Sequence, residues 1–234
     1  MNSHRVDVAV FAIAFTVFGL VALALVWSGD WAYAALANAT GNTSATFFVP
    51  PERREACGQT IVMDLARLRG LHRAWATYVV GASDVAVGPG CSLFTSDEYA
   101  HMADVRGVFR GAEAGAVLAL LVAAYRVVRA RGRGEALSLV RAGALIAGAI
   151  VALIGVVAVF AFDPLFLLFH DIFFPQGNFL FDPATSNLLR LYPEWYWQGI
   201  TAGVGLSFIA VAILVAGAAH IALRRGSNTY TRAA

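Results

Sequence analysis

The chain has few charged residues for its length. Only 14% of its 234 residues are Asp, Glu, Lys or Arg, while 59% are hydrophobic, and a soluble domain usually carries about 25% charged residues. Lysine is absent, so arginine supplies all 17 basic side chains. The formal net charge of +2 is too small to indicate nucleic-acid binding. These shortages exclude an ordinary soluble domain and predict an integral membrane protein.

Long apolar runs predict where the chain crosses the membrane. A helix needs about 20 apolar residues to span the hydrocarbon core, and four runs satisfy this, at residues 8–27, 111–128, 139–160 and 199–223. An alternative for the first run is a secretory signal peptide, because the ALANA stretch at 35–39 resembles a cleavage site. Its apolar length exceeds the roughly 7–15 residues of a signal core, which favours an uncleaved first helix within residues 1–27.

The distribution of arginine predicts the orientation of these helices. Arginines precede the first run, follow the fourth in the tail 224–234, and crowd the connection 129–138 between the second and third. Cytoplasmic segments carry such an excess of basic residues, so we expect both termini in the cytoplasm. Residues 28–110 then form an extracytoplasmic cap loop, and residues 161–198 a second outer segment. The use of Arg without Lys, together with abundant Ala, Val and Gly, indicates a GC-rich bacterial genome. With the four apolar runs, it predicts a multi-pass protein of the bacterial plasma membrane.

Cysteine is nearly absent, and both copies lie in the predicted cap. Disulfides persist in extracytoplasmic compartments, so Cys57 and Cys91 are predicted to form one. The alternative is a pair of free thiols. A two-cysteine metal site lacks further ligands at a suitable spacing.

The five histidines fall into three groups by their predicted position. His4 and His220 lie at the predicted cytoplasmic side and are interpreted as interfacial residues. His72 lies in the stretch 60–79, where apolar residues recur at helical spacing, and we expect it on the charged side of one helix beside Arg73, in a solvated or pairing role.

His101 and His170 instead lie close to predicted membrane helices on the outer side, each with a carboxylate nearby. Asp104 follows His101 at the i+3 position, which shares a helix face with it, and Asp171 directly follows His170. The pattern predicts a shared polar site in which the carboxylates orient the imidazoles.

The second outer segment combines many aromatic residues with helix breakers. Prolines at 164, 175, 183 and 193 prevent one continuous helix, and irregular backbone at a membrane needs protein burial or a polar cavity. We therefore predict an interfacial or re-entrant segment that lines a polar site. The candidates for contact with an acyl chain or headgroup are Phe173, Phe174, Phe179 and Trp195. The alternative is that these rings only pack the cap onto the helix bundle.

Two motifs, FTSDEYAHMADVR at 94–106 and HDIFFPQGNFLFDPATSNLLRLYPEWYW at 170–197, resemble a family of membrane proteins that includes the bacterial lipoprotein intramolecular transacylases. The apolar runs predict an all-α membrane fold, and no cofactor is expected. The resemblance implies an enzyme that moves an acyl chain within a lipoprotein. Such an enzyme moves the sn-2 acyl chain of a diacylglyceryl lipoprotein to the α-amine of its N-terminal cysteine. The resemblance maps the two essential histidines of the family onto His101 and His170. Arg106 and Glu194 are candidates to hold polar parts of the lipoprotein or membrane-lipid substrate.

Two other functions stay open from the sequence. His101, Asp104, His170 and Asp171 supply atoms that zinc accepts, although no His-x-x-x-His spacing is present. The other alternative is a non-enzymatic assembly or lipid-binding accessory protein that uses the aromatic segment for docking. Nothing in the sequence defines the oligomeric state.

Overall fold

The computed structural model of the chain describes residues 3–84 and 93–231. Contacts divide the chain into two units. The first contains residues Met1–Ala24, Ala112–Phe160 and Ala202–Ala234, and the second contains Leu25–Gly111 and Ala161–Thr201. In chain order the elements are α1 Ser3–Trp27, α2 Asp30–Thr40, β1 Ser44–Phe48, a 3-10 turn Pro51–Arg53, α3 Arg54–Cys57, β2 Thr60–Asp64, α4 Leu65–Val79, α5 Ser96–Gly132, α6 Ala136–Phe160, α7 Phe162–Phe173, α8 Asn187–Leu191 and α9 Glu194–Thr231.

Within the described residues, four helices are long and apolar enough to cross a membrane: α1, α5, α6 and α9. This confirms the predicted all-α membrane fold with four spans. Helix α5 begins at Ser96, well before the predicted start at Gly111. The segment that carries His101 is therefore part of the same helix as the second span.

Small residues and one ion-pair cluster shape the first unit. A Cβ added at Gly143 would collide with the ring of Phe11, so the helix backbone approaches that ring directly, as small residues permit in membranes. The Asp7 carboxylate is only 4% exposed, and it lies 2.6 Å from both Arg126 and Arg133. The pairing satisfies a buried charge that would otherwise destabilise the fold.

The second unit contains a short hairpin that the sequence analysis did not predict. Strand β1 pairs with β2 in antiparallel register, from Ser44 opposite Asp64 to Phe48 opposite Thr60. The expectation of one helix over residues 60–79 is therefore wrong for its first five residues. The Thr-Ile-Val run of β2 favours a strand, and Asp64 starts α4 as an N-cap by accepting from the Arg67 backbone N–H at 2.9 Å.

His72 is buried in this unit, which corrects the expectation of a solvated role on the charged side of its helix. It is 2% exposed. Its Nε2 lies 3.0 Å from the Ser28 carbonyl oxygen and its Nδ1 lies 3.2 Å from the Tyr192 hydroxyl. Because a carbonyl only accepts, Nε2 carries the proton and Nδ1 accepts from Tyr192. Burial lowers the pKa of His72 below its ordinary value.

Candidate active site

His101 lies in the second turn of α5 and is positioned by the way that helix starts. The Thr95 hydroxyl accepts from the Glu98 backbone N–H at 3.2 Å, and the Glu98 carboxylate accepts from the Thr95 N–H at 2.9 Å. This reciprocal pair is a capping box, which fixes the first turn of a helix. The imidazole of His101 is 7% exposed. Its Nδ1 is buried and makes no hydrogen bond within the described part of the chain.

His170 lies near the end of α7 and is held by backbone. Its Nδ1 is 2.8 Å from the carbonyl oxygen of Phe166, four residues earlier in the same helix. The carbonyl can only accept, so Nδ1 donates the hydrogen bond and the neutral ring keeps its lone pair on Nε2. The hydrogen bond that one ring nitrogen of a histidine makes determines which nitrogen carries the proton.

The two imidazoles lie next to each other within the second unit. Their ring centroids are 6.2 Å apart and their planes differ by 18°. Two histidines that are distant in sequence therefore meet, one on α5 and one on α7. Both belong to the same unit of the chain.

Phenylalanine rings surround this pair of histidines. Phe174 lies 4.8 Å from His101 and 5.4 Å from His170, and it is almost fully buried. Phe179 lies 5.1 Å from His170. Phe166 and Phe181, not chosen from the sequence as contacts, lie 4.3 Å from His170 and 5.6 Å from His101. The i−4 spacing of Phe166 from His170 could have indicated the first of these contacts.

The other two aromatic candidates lie further from the imidazoles. The ring of Phe173 packs on Phe169 at 4.6 Å and is 47% exposed. Trp195 packs on Tyr33 at 5.8 Å. Phe174 and Phe179 therefore contact the histidines, Phe173 offers an accessible apolar surface, and Trp195 belongs to the neighbouring aromatic core.

Asp104 contacts the turn after α7 rather than a histidine ring. Its Oδ2 accepts from the Gln176 side-chain amide at 2.8 Å and from the Asn178 side-chain amide at 2.5 Å. The bonds tie α5 to the turn that carries Phe174 and Phe179. Asp171 is exposed on α7. His170 is oriented by the hydrogen bond that its Nδ1 donates to the Phe166 carbonyl oxygen.

The two predicted polar substrate contacts have other partners. The Arg106 guanidinium lies 2.6 Å from the Asp84 carboxylate and 4.6 Å from the Tyr78 ring centroid. Arg106 lowers the pKa of the Asp84 carboxyl. Glu194 starts α9 and accepts from the Gln198 side chain at 2.5 Å. Arg106 and Glu194 thus lie in the same unit as the two histidines. Among the described residues, neither contacts an imidazole.

Two further expectations concern metal and cysteine. Among residues 3–84 and 93–231, no group of three or more His, Cys, Asp or Glu side chains is arranged to hold a metal ion. Cys57 ends α3, but Cys91 lies outside the described residues, so the disulfide stays a prediction.

A model of the lipoprotein intramolecular transacylase Lit family matches residues 55–197, which is more than half of the chain. The chain belongs to the Lit family. This confirms the resemblance noted from the two motifs and places the chain among membrane acyltransferases that act on lipoproteins. The Lit match includes both His101 and His170.

Solved structures of the membrane integral transacylase Lit from Bacillus cereus have the same fold. One aligns with a TM-score of 0.69 at 16% identity and covers 100% of this chain and 99% of that one. Two others, with a histidine replaced by arginine or alanine, give the same TM-score and identity. They cover 97% of this chain and 95% and 96% of theirs. No curated protein matches the chain in sequence.

Proposed function

We propose that this Lit-family chain transfers the sn-2 acyl group of a diacylglyceryl lipoprotein to the α-amine of the lipoprotein's N-terminal cysteine. The observation that carries the proposal is the pair of imidazoles 6.2 Å apart among phenylalanine rings. Two histidines can share proton transfer and oxyanion stabilisation, and the rings offer a surface for an acyl chain.

His170 is the general base in this proposal. The bond from its Nδ1 to the Phe166 carbonyl at 2.8 Å leaves the lone pair on Nε2. An α-amine with a pKa of about 7.7–8.0 is partly neutral near pH 7 and attacks the ester carbonyl carbon. Nε2 accepts the proton that the amine loses as the C–N bond forms.

His101 stabilises the oxyanion. Its Nδ1 is buried without a hydrogen bond in the described structure, and leaving such an atom unpaired costs about 1–3 kcal/mol. An N–H at that nitrogen can donate a hydrogen bond to the ester carbonyl oxygen as it becomes negative, which pairs the atom in the transition state while the proton stays on His101. The C–O bond to glycerol then breaks, and His170 returns the same proton to the glycerol oxygen. The products are an amide and a free sn-2 hydroxyl, and both histidines regain their starting state.

No protein nucleophile is needed in this reaction. Amine and ester belong to one substrate molecule, and well-oriented intramolecular groups reach effective molarities of about 10⁵–10⁸ M. The protein has to hold the two groups together and exclude water. Phe166, Phe174, Phe179 and Phe181 line the histidines for this purpose, and the accessible ring of Phe173 contacts the acyl chain.

Mass spectrometry of lipoprotein N-termini tests the proposal. Diacylglyceryl lipoprotein incubated with purified chain in detergent or vesicles should become the N-acyl, sn-2 hydroxyl form. Because the two forms have equal mass, fragmentation has to locate the acyl chain. The control is the chain with both histidines replaced by alanine. Unchanged substrate with the wild-type chain would reject the function.

We also propose that the site faces the outer leaflet, with both termini in the cytoplasm. The support is the clustering of arginine in residues 129–138 and 224–234. Reporter fusions after Arg133 and after Gly177 should report opposite compartments. The same compartment for both would contradict this orientation.

A further inference from the structure

The Glu98 carboxylate lies one helical turn before His101 and is 1% exposed. One of its oxygens, Oε2, closes the capping box with Thr95 at the start of α5. The other, Oε1, accepts from the Ser186 hydroxyl at 2.6 Å and from the Leu188 backbone N–H at 2.7 Å. Glu98 therefore caps two helices, its own α5 and the distant α8.

The residues that Glu98 contacts continue into a buried polar network. Asn187, between Ser186 and Leu188, is 3% exposed. Its side chain accepts from the Phe48 N–H at 2.9 Å and donates to the carbonyl oxygens of Phe48 at 2.6 Å and Leu93 at 2.5 Å. Strand β1, the chain just before α5 and the start of α8 are thus joined. Buried networks whose members are all paired define one arrangement of the backbone.

This network holds the end of the segment that runs between the two halves of the site. The chain from Phe174 to Ser186 begins beside His170 and carries Phe181 against His101 at 5.6 Å. Its early turn is tied to α5 by Asp104, and its end is tied to α5 by Glu98. Two carboxylates of one helix, on either side of His101, hold both ends of the segment.

We propose that Glu98 is a positioning residue for the acyl transfer, because it sets the location of His101 relative to the 174–186 segment. This inference rests on the function proposed above. It assigns Glu98 no contact with substrate. Displacing a catalytic group by about 1 Å can reduce the rate about 10²-fold, so the role has a measurable effect on turnover.

Glu98→Gln is the most direct test because it keeps the side-chain size. The glutamine oxygen can still accept from Ser186 and Leu188, but its amide would then meet the Thr95 N–H, which also donates. We expect kcat to fall about 10- to 100-fold with KM changed less than about twofold. Asp97→Asn, an exposed neighbour in the same turn, is the matched control and should behave as wild type. Ser186→Ala removes the hydroxyl that donates to Glu98 and that also accepts from the Leu189 N–H at 3.2 Å. It leaves the Leu188 N–H bond to Glu98 in place and should give a smaller fall in kcat.

The 15N–1H signals of the histidine side chains give a second measurement that does not depend on turnover. The His101 signals, assigned with a His101→Gln sample, should move in Glu98→Gln and stay in place in Asp97→Asn. If Glu98→Gln kept the wild-type kcat per folded molecule and the His101 signals did not move, the inference would be overturned, even if the melting temperature fell.

If the wild-type chain produced no acyl transfer, the proposed function would fail, and the His101 signals would still decide whether Glu98 positions that ring. If Glu98→Gln did not fold, Ser186→Ala would decide it by the same two measurements.

Discussion

His170 and Phe166 are joined by a hydrogen bond of 2.8 Å from the imidazole Nδ1 to the backbone carbonyl oxygen. The bond lies within α7, so the helix itself selects the tautomer of the ring. His101 has no equivalent: its Nδ1 is buried without a hydrogen bond among the residues described. This asymmetry is the structural basis for assigning the histidines different roles.

Glutamine substitutions test this assignment. A glutamine amide can donate a hydrogen bond to an oxyanion but cannot accept and return a proton. We expect His101→Gln to retain more activity than His170→Gln, and either alanine variant to lose roughly 10²–10⁴ in rate or more. The measurement is the initial rate of N-acyl product formation, with protein level in the membrane as the control. The opposite order for the two glutamine variants would exchange the roles.

Asp104 is expected to matter more than Asp171. Asp104→Ala leaves the amides of Gln176 and Asn178 without their shared acceptor and frees the turn beside the histidines. Hydrogen bonds to charged groups contribute about 1.5–3 kcal/mol to stability, and the two bonds to Asp104 are partly exposed. Because their loss would loosen the turn beside the histidines, we expect kcat to fall about tenfold. Asp171 is exposed, so Asp171→Asn should retain most of the activity. Equal losses would restore the original expectation that both carboxylates orient the rings.

Those parts of the fold that depend on long uniform patterns could be predicted from the sequence. The four membrane helices follow from apolar runs, because lipid requires a fixed length of apolar helix. The sequence predicts both histidines as site residues because each lies near a predicted span and has a carboxylate nearby. Family membership then followed from the two motifs that contain them. These predictions needed only local sequence and chain topology.

Contacts between distant segments could not be predicted in the same way. The Thr95-x-x-Glu98 spacing is readable as a capping box, but the bond from its second oxygen to Leu188 depends on tertiary packing. His72 has an arginine beside it, and only the fold shows that its partners are Ser28 and Tyr192. The pairing of β2 with β1 overrides the helical spacing of apolar residues over 60–79.

The stability of the second unit should depend on pH through His72. Burial lowers the pKa of His72 below 6.5, so below about pH 6.5 the unfolded chain binds more protons than the folded chain. Its contribution to stability is therefore full above the unfolded pKa and declines as the pH falls towards the folded pKa. We expect the wild-type melting temperature to drop between about pH 7.5 and 5.5.

His72→Gln provides the matched comparison for this effect. Glutamine can donate to Ser28 and accept from Tyr192, but it does not titrate. Thermal unfolding in detergent should show a smaller pH dependence for the variant than for wild type, whatever its stability at neutral pH. An identical pH dependence would show that His72 does not control it.

The predicted Cys57–Cys91 disulfide should stabilise the start of α5, the helix that carries His101. Cys57 packs against the core of the second unit, and Cys91 precedes Leu93, whose carbonyl accepts from Asn187. Closing a loop of about 35 residues in the unfolded chain would stabilise the folded protein by about 3–4 kcal/mol in the chain-entropy model. Unreduced, denatured protein should label with less than one thiol reagent per chain, and two after reduction. Single and double serine variants should lose similar stability, because each removes the same bond. Full labelling of both cysteines without reduction would contradict the disulfide.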